Sequence, residues 1–235
     1  KAAVGFAQDP DADRLAIVDE NGKYIGEEYT LALAAKLIYS KQIGSAATNL
    51  STSRMIDDIA KAAGGHVIRT PVGEANVASA MIHNNCIIGG EGNGGVIYPS
   101  INFARDSQVG MALILHLLAS SGKTVSALVA DLPPFAMVKE KLTCPSNKIP
   151  DVLRMVKRDF GHLPMDTRDG VKIMLPNGYG GKMGYASAQC MADFIIVNRV
   201  DELPPSELEE IVALLQAEYQ GRPIVRTSAK TGAGF

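Results

Sequence analysis

A chain of 235 residues is long enough for one large or two ordinary domains. Its 46% hydrophobic and 20% charged residues describe a packed globular protein and exclude a disordered or fibrous one. A net charge of −2 gives no electrostatic reason to invoke nucleic acid or an anionic membrane, and no apolar run approaches the ~18 residues of a membrane span. The cysteines, Cys86, Cys144 and Cys190, are widely spaced, odd in number and free of CxxC pairing, so they read as reduced and structural, in a cytoplasmic setting. The sequence begins without Met, inside a strand-like run and without signal-peptide blocks, and the expectation is a fragment.

In chain order, the first signal lies in residues 5 to 18. Apolar runs at Ala2 to Phe6 and Leu15 to Val18 flank three alternate carboxylates, Asp9, Asp11 and Asp13, followed at once by Arg14. The pattern predicts a tight loop between two strands, with Pro10 fixing its backbone. Three like charges within a few residues repel one another unless a cation sits among them, and hard oxygen donors suit Mg²⁺. An EF-hand competes, because Asp9, Asp11, Asp13 and Glu20 fall on its positions 1, 3, 5 and 12. Arg14 stands where that loop needs Gly, and the flanks read as strands ending at a turn, Asp19-Glu20-Asn21-Gly22. A solvated acidic loop is the plain alternative.

Helix and strand patterns then alternate. Tyr29 to Tyr39 predicts a helix and Ala46 to Leu50 a strand. Ser51-Thr52-Ser53 reads as an N-cap cluster for a helix over Met55 to Ala63, closed by Gly64-Gly65. His66 to Arg69 is a strand, Asn76 to His83 a helix, Cys86 to Gly89 a strand, and Asp106 to Ser120 an apolar helix stopped by Ser121-Gly122. This alternation predicts α/β layers with a mixed, mainly parallel sheet. Past Leu132-Pro133-Pro134, strands at Ala136 to Leu142 and Val171 to Leu175 around a helix at Ile149 to Phe160 form a smaller α+β unit. Asn177-Gly178-Tyr179-Gly180-Gly181 reads as a glycine-rich joint.

The second chemical signal is Gly89-Gly90-Glu91-Gly92-Asn93-Gly94-Gly95. Gly90, Gly92 and Gly95 formally spell G-x-G-x-x-G, but a dinucleotide site needs a helix to open at the last glycine. Here Val96 to Ser100 is extended and broken by Pro99, and Glu91 would repel a pyrophosphate. Glu91 and Asn93, on a backbone freed of side-chain bulk, instead suit sugar hydroxyls. A plain glycine turn with a solvated Glu91 is the alternative. Ser121-Gly122-Lys123-Thr124 ends in the GKT of a P-loop, yet Leu117 stands where its first glycine belongs, so it reads as a helix end.

The two loops, in this order and about 80 residues apart, resemble those of the α-D-phosphohexomutases. Asp9-Pro10-Asp11-Ala12-Asp13-Arg14 is similar to their D-x-D-x-D-R metal loop, and Gly90-Glu91-Gly92-Asn93-Gly94 to their G-E-x-S/N-G sugar loop. Thr70-Pro71-Val72-Gly73 and Arg168-Asp169-Gly170-Val171-Lys172-Ile173 also look like the family, over residues 1 to 178 in all. The resemblance implies transfer of phosphate between a Mg²⁺-bound phosphoserine and a hexose phosphate. It implies Asp9, Asp11 and Asp13 as metal ligands, Arg14 in support of catalysis, and Glu91, Asn93 and Gly73 at the substrate. It maps 1–42 to part of the metal-binding domain, 43–131 to the sugar-loop domain and 132–178 to an incomplete last domain. The family's phosphoserine loop would precede Lys1, and nothing after Gly178 fits its phosphate-binding loop, so this chain alone is expected to be inactive. Glu74 follows the Val72-Gly73 turn where many relatives carry a basic residue.

The tail, 179–235, points elsewhere. Asn198-Arg199-Val200-Asp201 is similar to the N-K-x-D of GTPases, and Thr227-Ser228-Ala229-Lys230-Thr231-Gly232 resembles their S-A-K loop, across an amphipathic stretch from Ser206 to Tyr219. The resemblance is to the base-binding half of CobW-type metallochaperone GTPases. It implies Asp201, Asn198 and the Ala229 N–H on a guanine base, with Ser228 and Lys230 beside them. With no P-loop to hold phosphates, this half site is expected not to bind GTP usefully. A nucleotide-binding metallochaperone and a non-catalytic sugar-phosphate binder are therefore the competing functions. No oligomeric state follows from the sequence.

Overall fold

The computed structural model describes residues 2–132, 135, 141–174, 180–186 and 191–193. The chain is of the mixed α/β class and divides into two units, Lys1–Pro133 and Pro134–Phe235. No helix among the described residues is long and apolar enough to cross a membrane.

The first unit opens with an antiparallel hairpin, β1 (Gly5–Gln8) and β2 (Leu15–Val18), so the acidic loop is a hairpin turn. Strands on both sides dispose of the EF-hand. Helix α1 (Glu28–Tyr39) is buried almost all round, and Thr30 ties it to β2 by donating to the Leu15 carbonyl at 2.8 Å. Strand β3 (Ser45–Asn49), α2 (Met55–Ala62), β4 (His66–Thr70), α3 (Glu74–His83), β5 (Ile88–Glu91) and β6 (Gly95–Ile97) follow. The sheet order is β4-β3-β5-β6; β3 runs parallel to both β4 and β5, and β6 turns back antiparallel. That return strand replaces the helix a dinucleotide site would require. Side chains such as Leu31, Leu33, Leu37, Met81, Ile88, Ile97 and Ile114 fill the core at less than 2% exposure.

Helix α4 (Ser107–Ser121) starts where Asp106 accepts from the Gln108 and Val109 N–H groups at 2.9 and 3.0 Å, and stops at left-handed Gly122. A short helix, α5 (Val125–Ala130), follows at once, capped by Thr124, whose hydroxyl accepts from Ala127 N–H. The GKT run is thus a helix end joined to a helix start.

Glu20 lies at the head of α5, its Oε1 bonded to the Ser126 hydroxyl and its Oε2 accepting from Ser126 N–H at 3.3 Å. The Ser126 hydroxyl, then the backbone N–H of Glu20 itself, outweigh burial and draw its carboxyl from 4.5 down to about 2. A depressed carboxyl pKa stabilises the fold above 4.5, and that contribution is lost as pH falls from 4.5 through 2. Glu20→Gln is therefore expected to melt below wild type at pH 7, with the gap closing across that window. A gap independent of pH would refute the assignment.

In the second unit, β7 (Lys141–Thr143), β8 (Met165–Asp166), β9 (Val171–Met174), β10 (Gly180–Ala186) and β11 (Met191–Asp193) form an antiparallel sheet, ordered β7-β11-β10-β9-β8. Helix α6 (Ile149–Asp159) contributes Val156 to a core with Val171 and Ile173. Gly180 pairs with Met174 and Gly181 with Ile173. Strands β9 and β10 therefore bond across the glycine-rich stretch where the sequence placed a joint, and residues 180–186 and 191–193 belong to the same sheet as β9. Asn198, Asp201, Ser228, Ala229 and Lys230 lie outside the described residues.

Candidate functional site

The three parallel strands set the site. Register places Asn49 level with Thr70, and Thr48 level with Gly90. The segments leaving β3, β4 and β5 therefore emerge together at the carboxyl edge of the sheet, where open α/β sheets carry their ligands. After β3, the side-chain oxygen of Asn49 accepts from Ser51 and Thr52 N–H at 3.0 and 2.9 Å. Ser51-Thr52-Ser53 thus does not cap α2, whose N-cap position is Arg54. Its polar groups go to the site: the Thr52 hydroxyl accepts from Gly92 N–H at 2.9 Å, and Ser53 N–H donates to buried Glu28 at 2.9 Å.

Arg69, on β4, locks this segment. Its guanidinium donates to the carbonyls of Asn49, Thr52 and Ser53 at 2.9, 2.6 and 2.8 Å and pairs with Asp57.

Glu91 stands at the centre, its side chain 4% exposed. Oε1 accepts from Asn49 Nδ2 at 2.5 Å and from Gly73 N–H at 3.3 Å; Oε2 accepts from Arg105 Nη1 at 2.5 Å and from Asn93 Nδ2 at 3.5 Å. Each oxygen keeps one short bond and one long one. The long partners, Gly73 and Asn93, are the two groups the sequence placed beside Glu91 at the substrate.

Arg105, 13% exposed, joins this loop to the hairpin turn. Nη2 reaches Asp13 Oδ2 at 2.5 Å, Nη1 reaches Glu91, and Nε lies 3.4 Å from Glu74 Oε2, while Glu74 Oε1 accepts from the Arg105 backbone N–H at 2.6 Å. Glu74 is thus the anchor of an arginine. Two further stitches hold the hairpin here: Leu15 N–H donates to the Gly94 carbonyl at 3.0 Å, and the Ser107 hydroxyl to the Ala12 carbonyl at 2.5 Å.

Within the turn, Asp9 Oδ1 accepts from the Asp13 and Arg14 N–H groups, both at 3.2 Å. Burial pushes the Asp9 carboxyl up, but those N–H groups and the Arg14 guanidinium prevail and hold it below its ordinary value. Arg14 Nε sits 3.6 Å from Asp9 Oδ2 and 3.7 Å from Asp13 Oδ1. Asp11 is exposed at the tip, beside left-handed Ala12. Among the described residues no three His, Cys, Asp or Glu side chains are arranged as a metal-holding group. The donors nevertheless fit a hard cation: all are carboxylate oxygens, and Asp13 Oδ1 is buried and accepts no hydrogen bond.

Residues 26–135 match the family described as phosphoglucomutase/phosphomannomutase, alpha/beta/alpha domain III. That stretch is similar to domain III of the phosphohexomutases. Over 181 residues the chain is 36% identical to the probable phosphoglucosamine mutase of Methanopyrus kandleri, covering 76% of this chain and 40% of that protein. The chain thus spans well under half the length of such relatives. A phosphoglucomutase/phosphomannomutase family protein of Burkholderia thailandensis shares the fold at a TM-score of 0.70 and 22% identity, over 94% of this chain and 48% of that one. Aspergillus fumigatus N-acetylphosphoglucosamine mutase, solved with GlcNAc-6P and magnesium, superposes at 0.56 and 12% identity, over 91% and 51%.

The sequence named Asp13, Glu91, Asn93 and Gly73, which the sheet edge and the hairpin bring together. It missed Arg105, Asn49, Glu28 and Arg69.

Proposed function

We propose that this chain is the metal- and sugar-binding part of a phosphohexomutase that interconverts hexose 1-phosphate and hexose 6-phosphate. The observation that carries the proposal is the Arg105 fork, which ties the carboxylate of the metal turn to that of the sugar loop. The kinship with sugar-phosphate mutases supports it, as does the magnesium bound by a structural neighbour.

In this reading Asp9, Asp11 and Asp13 hold Mg²⁺, with Arg14 beside them. Bound there, Mg²⁺ would supply positive charge against the oxygens of the transferring phosphoryl group. Glu91 orients the hexose: sugar hydroxyls donate to its two oxygens in place of the long contacts from Gly73 and Asn93, while Asn49 and Arg105 keep the carboxylate in place. Positioning of this kind supplies most of the catalysis in phosphoryl transfer. These 235 residues contribute binding and orientation but not the phosphoserine, so the purified chain binds without turning over.

Calorimetric titration with MgCl₂ tests the reading. Asp11→Asn, at the exposed tip, is expected to weaken Mg²⁺ binding about tenfold through loss of one anionic donor. Equal heats for both proteins would sink the metal assignment.

A further inference from the structure

We infer that Arg105 is a positioning residue that makes metal affinity at the hairpin turn depend on the state of the sugar loop. The inference rests on the metal-loop reading above and adds a linkage to it. One guanidinium faces three carboxylates, Asp13, Glu74 and Glu91, and leaves that cluster net negative. Its two terminal nitrogens are divided, one on Asp13 and one on Glu91, both at 2.5 Å. Glu74 holds the Arg105 backbone N–H at 2.6 Å and lies 3.4 Å from Nε, so the side chain leaves a fixed point of the chain towards both loops.

The charge is therefore shared. Any event that withdraws the Glu91 carboxylate commits more of the guanidinium to Asp13, where it opposes a divalent cation. Any event that draws Glu91 towards Nη1 relieves Asp13. A hexose hydroxyl bonding to Glu91 acts on that balance from the far side of the fork. Linkage requires the reverse effect to be equal, so a cation at Asp13 alters the hold on Glu91 by the same factor. Lysine would not do this, because a single ammonium cannot bridge two carboxylates with fixed geometry.

A double-mutant cycle read by Mg²⁺ calorimetry on the whole chain tests the coupling, with no substrate present. Arg105→Gln removes the charge that competes for Asp13 and is expected to tighten Mg²⁺ binding about tenfold. Glu91→Asp keeps the negative charge but shortens the side chain by one methylene, breaking the contact with Nη1. In the wild-type background it is expected to weaken Mg²⁺ binding about threefold, and in the Arg105→Gln background to leave it unchanged. Arg105→Lys should keep near-native Mg²⁺ affinity yet also abolish the Glu91→Asp effect; it serves if Arg105→Gln fails to fold. The same Glu91→Asp factor in every background, or no tightening in Arg105→Gln, overturns the linkage and leaves the metal site standing. Absence of Mg²⁺ binding in the wild-type chain overturns both.

Discussion

Gly90→Ala is expected to lower the melting temperature of the first unit by about 10 °C or more, corresponding to at least ~3 kcal/mol. Gly90 holds φ at +147°, a region that costs an L-residue ~1–3 kcal/mol before any contact is considered. A Cβ built there would lie 2.1 Å from the Gly95 carbonyl oxygen and 3.1 Å from Leu31 Cδ1. The first obstacle is backbone, held in the β5–β6 ladder where Glu91 faces Gly95, so it cannot swing aside as a side-chain tip could. Relief would require opening the hairpin that carries Glu91 and Asn93. Thermal unfolding followed by circular dichroism reads the effect, and a shift under about 3 °C would show that the loop yields more easily than its geometry implies.

Arg69→Met should destabilise the same unit by roughly 3–5 kcal/mol, the range for removing one member of a buried charged network. Methionine preserves much of the aliphatic bulk, so the loss isolates the guanidinium. Three carbonyls, of Asn49, Thr52 and Ser53, lose their donor together, and Asp57 loses its partner. Hydrogen bonds to charged groups contribute about 1.5–3 kcal/mol each, and partial hydration of the freed carbonyls keeps the total below their sum. Arg69→Lys should restore less than half, because an ammonium cannot span three carbonyls from one position. Urea denaturation with an unchanged m-value is the measurement. A midpoint equal to wild type would mean that the segment after β3 is held by other contacts.

Much of the fold could be read from the sequence because local chemistry and tertiary structure agree there. Asp106 and Gly122 bracket α4 as caps do, Pro10 marks a hairpin turn, and the β3–α2–β4–α3 alternation forces parallel pairing. Agreement failed where tertiary demands took over polar groups. Ser51-Thr52-Ser53 has the composition of a cap, yet its hydroxyl and N–H groups serve Asn49, Gly92 and Glu28 across the sheet edge. The strand expected at Cys86 to Gly89 begins at Ile88, and the Cys86 N–H is instead bonded to the Met81 carbonyl at the end of α3. Six residues of α5 were too few for any period to register. Arg105 was invisible for a different reason: its role comes from partners 92, 31 and 14 residues away, and no local pattern encodes that convergence.

The hairpin that carries Asp9, Asp11 and Asp13 forms a two-stranded sheet, β1 against β2. Its ladder is local in sequence, whereas the contacts that fasten it beside the sugar loop join residues 79, 92 and 95 positions apart. Short-range contacts form early in folding and long-range ones late, because chain closure must come first. The turn itself can close from local contacts, whereas its ties to Arg105 and Ser107 need the start of α4 in place.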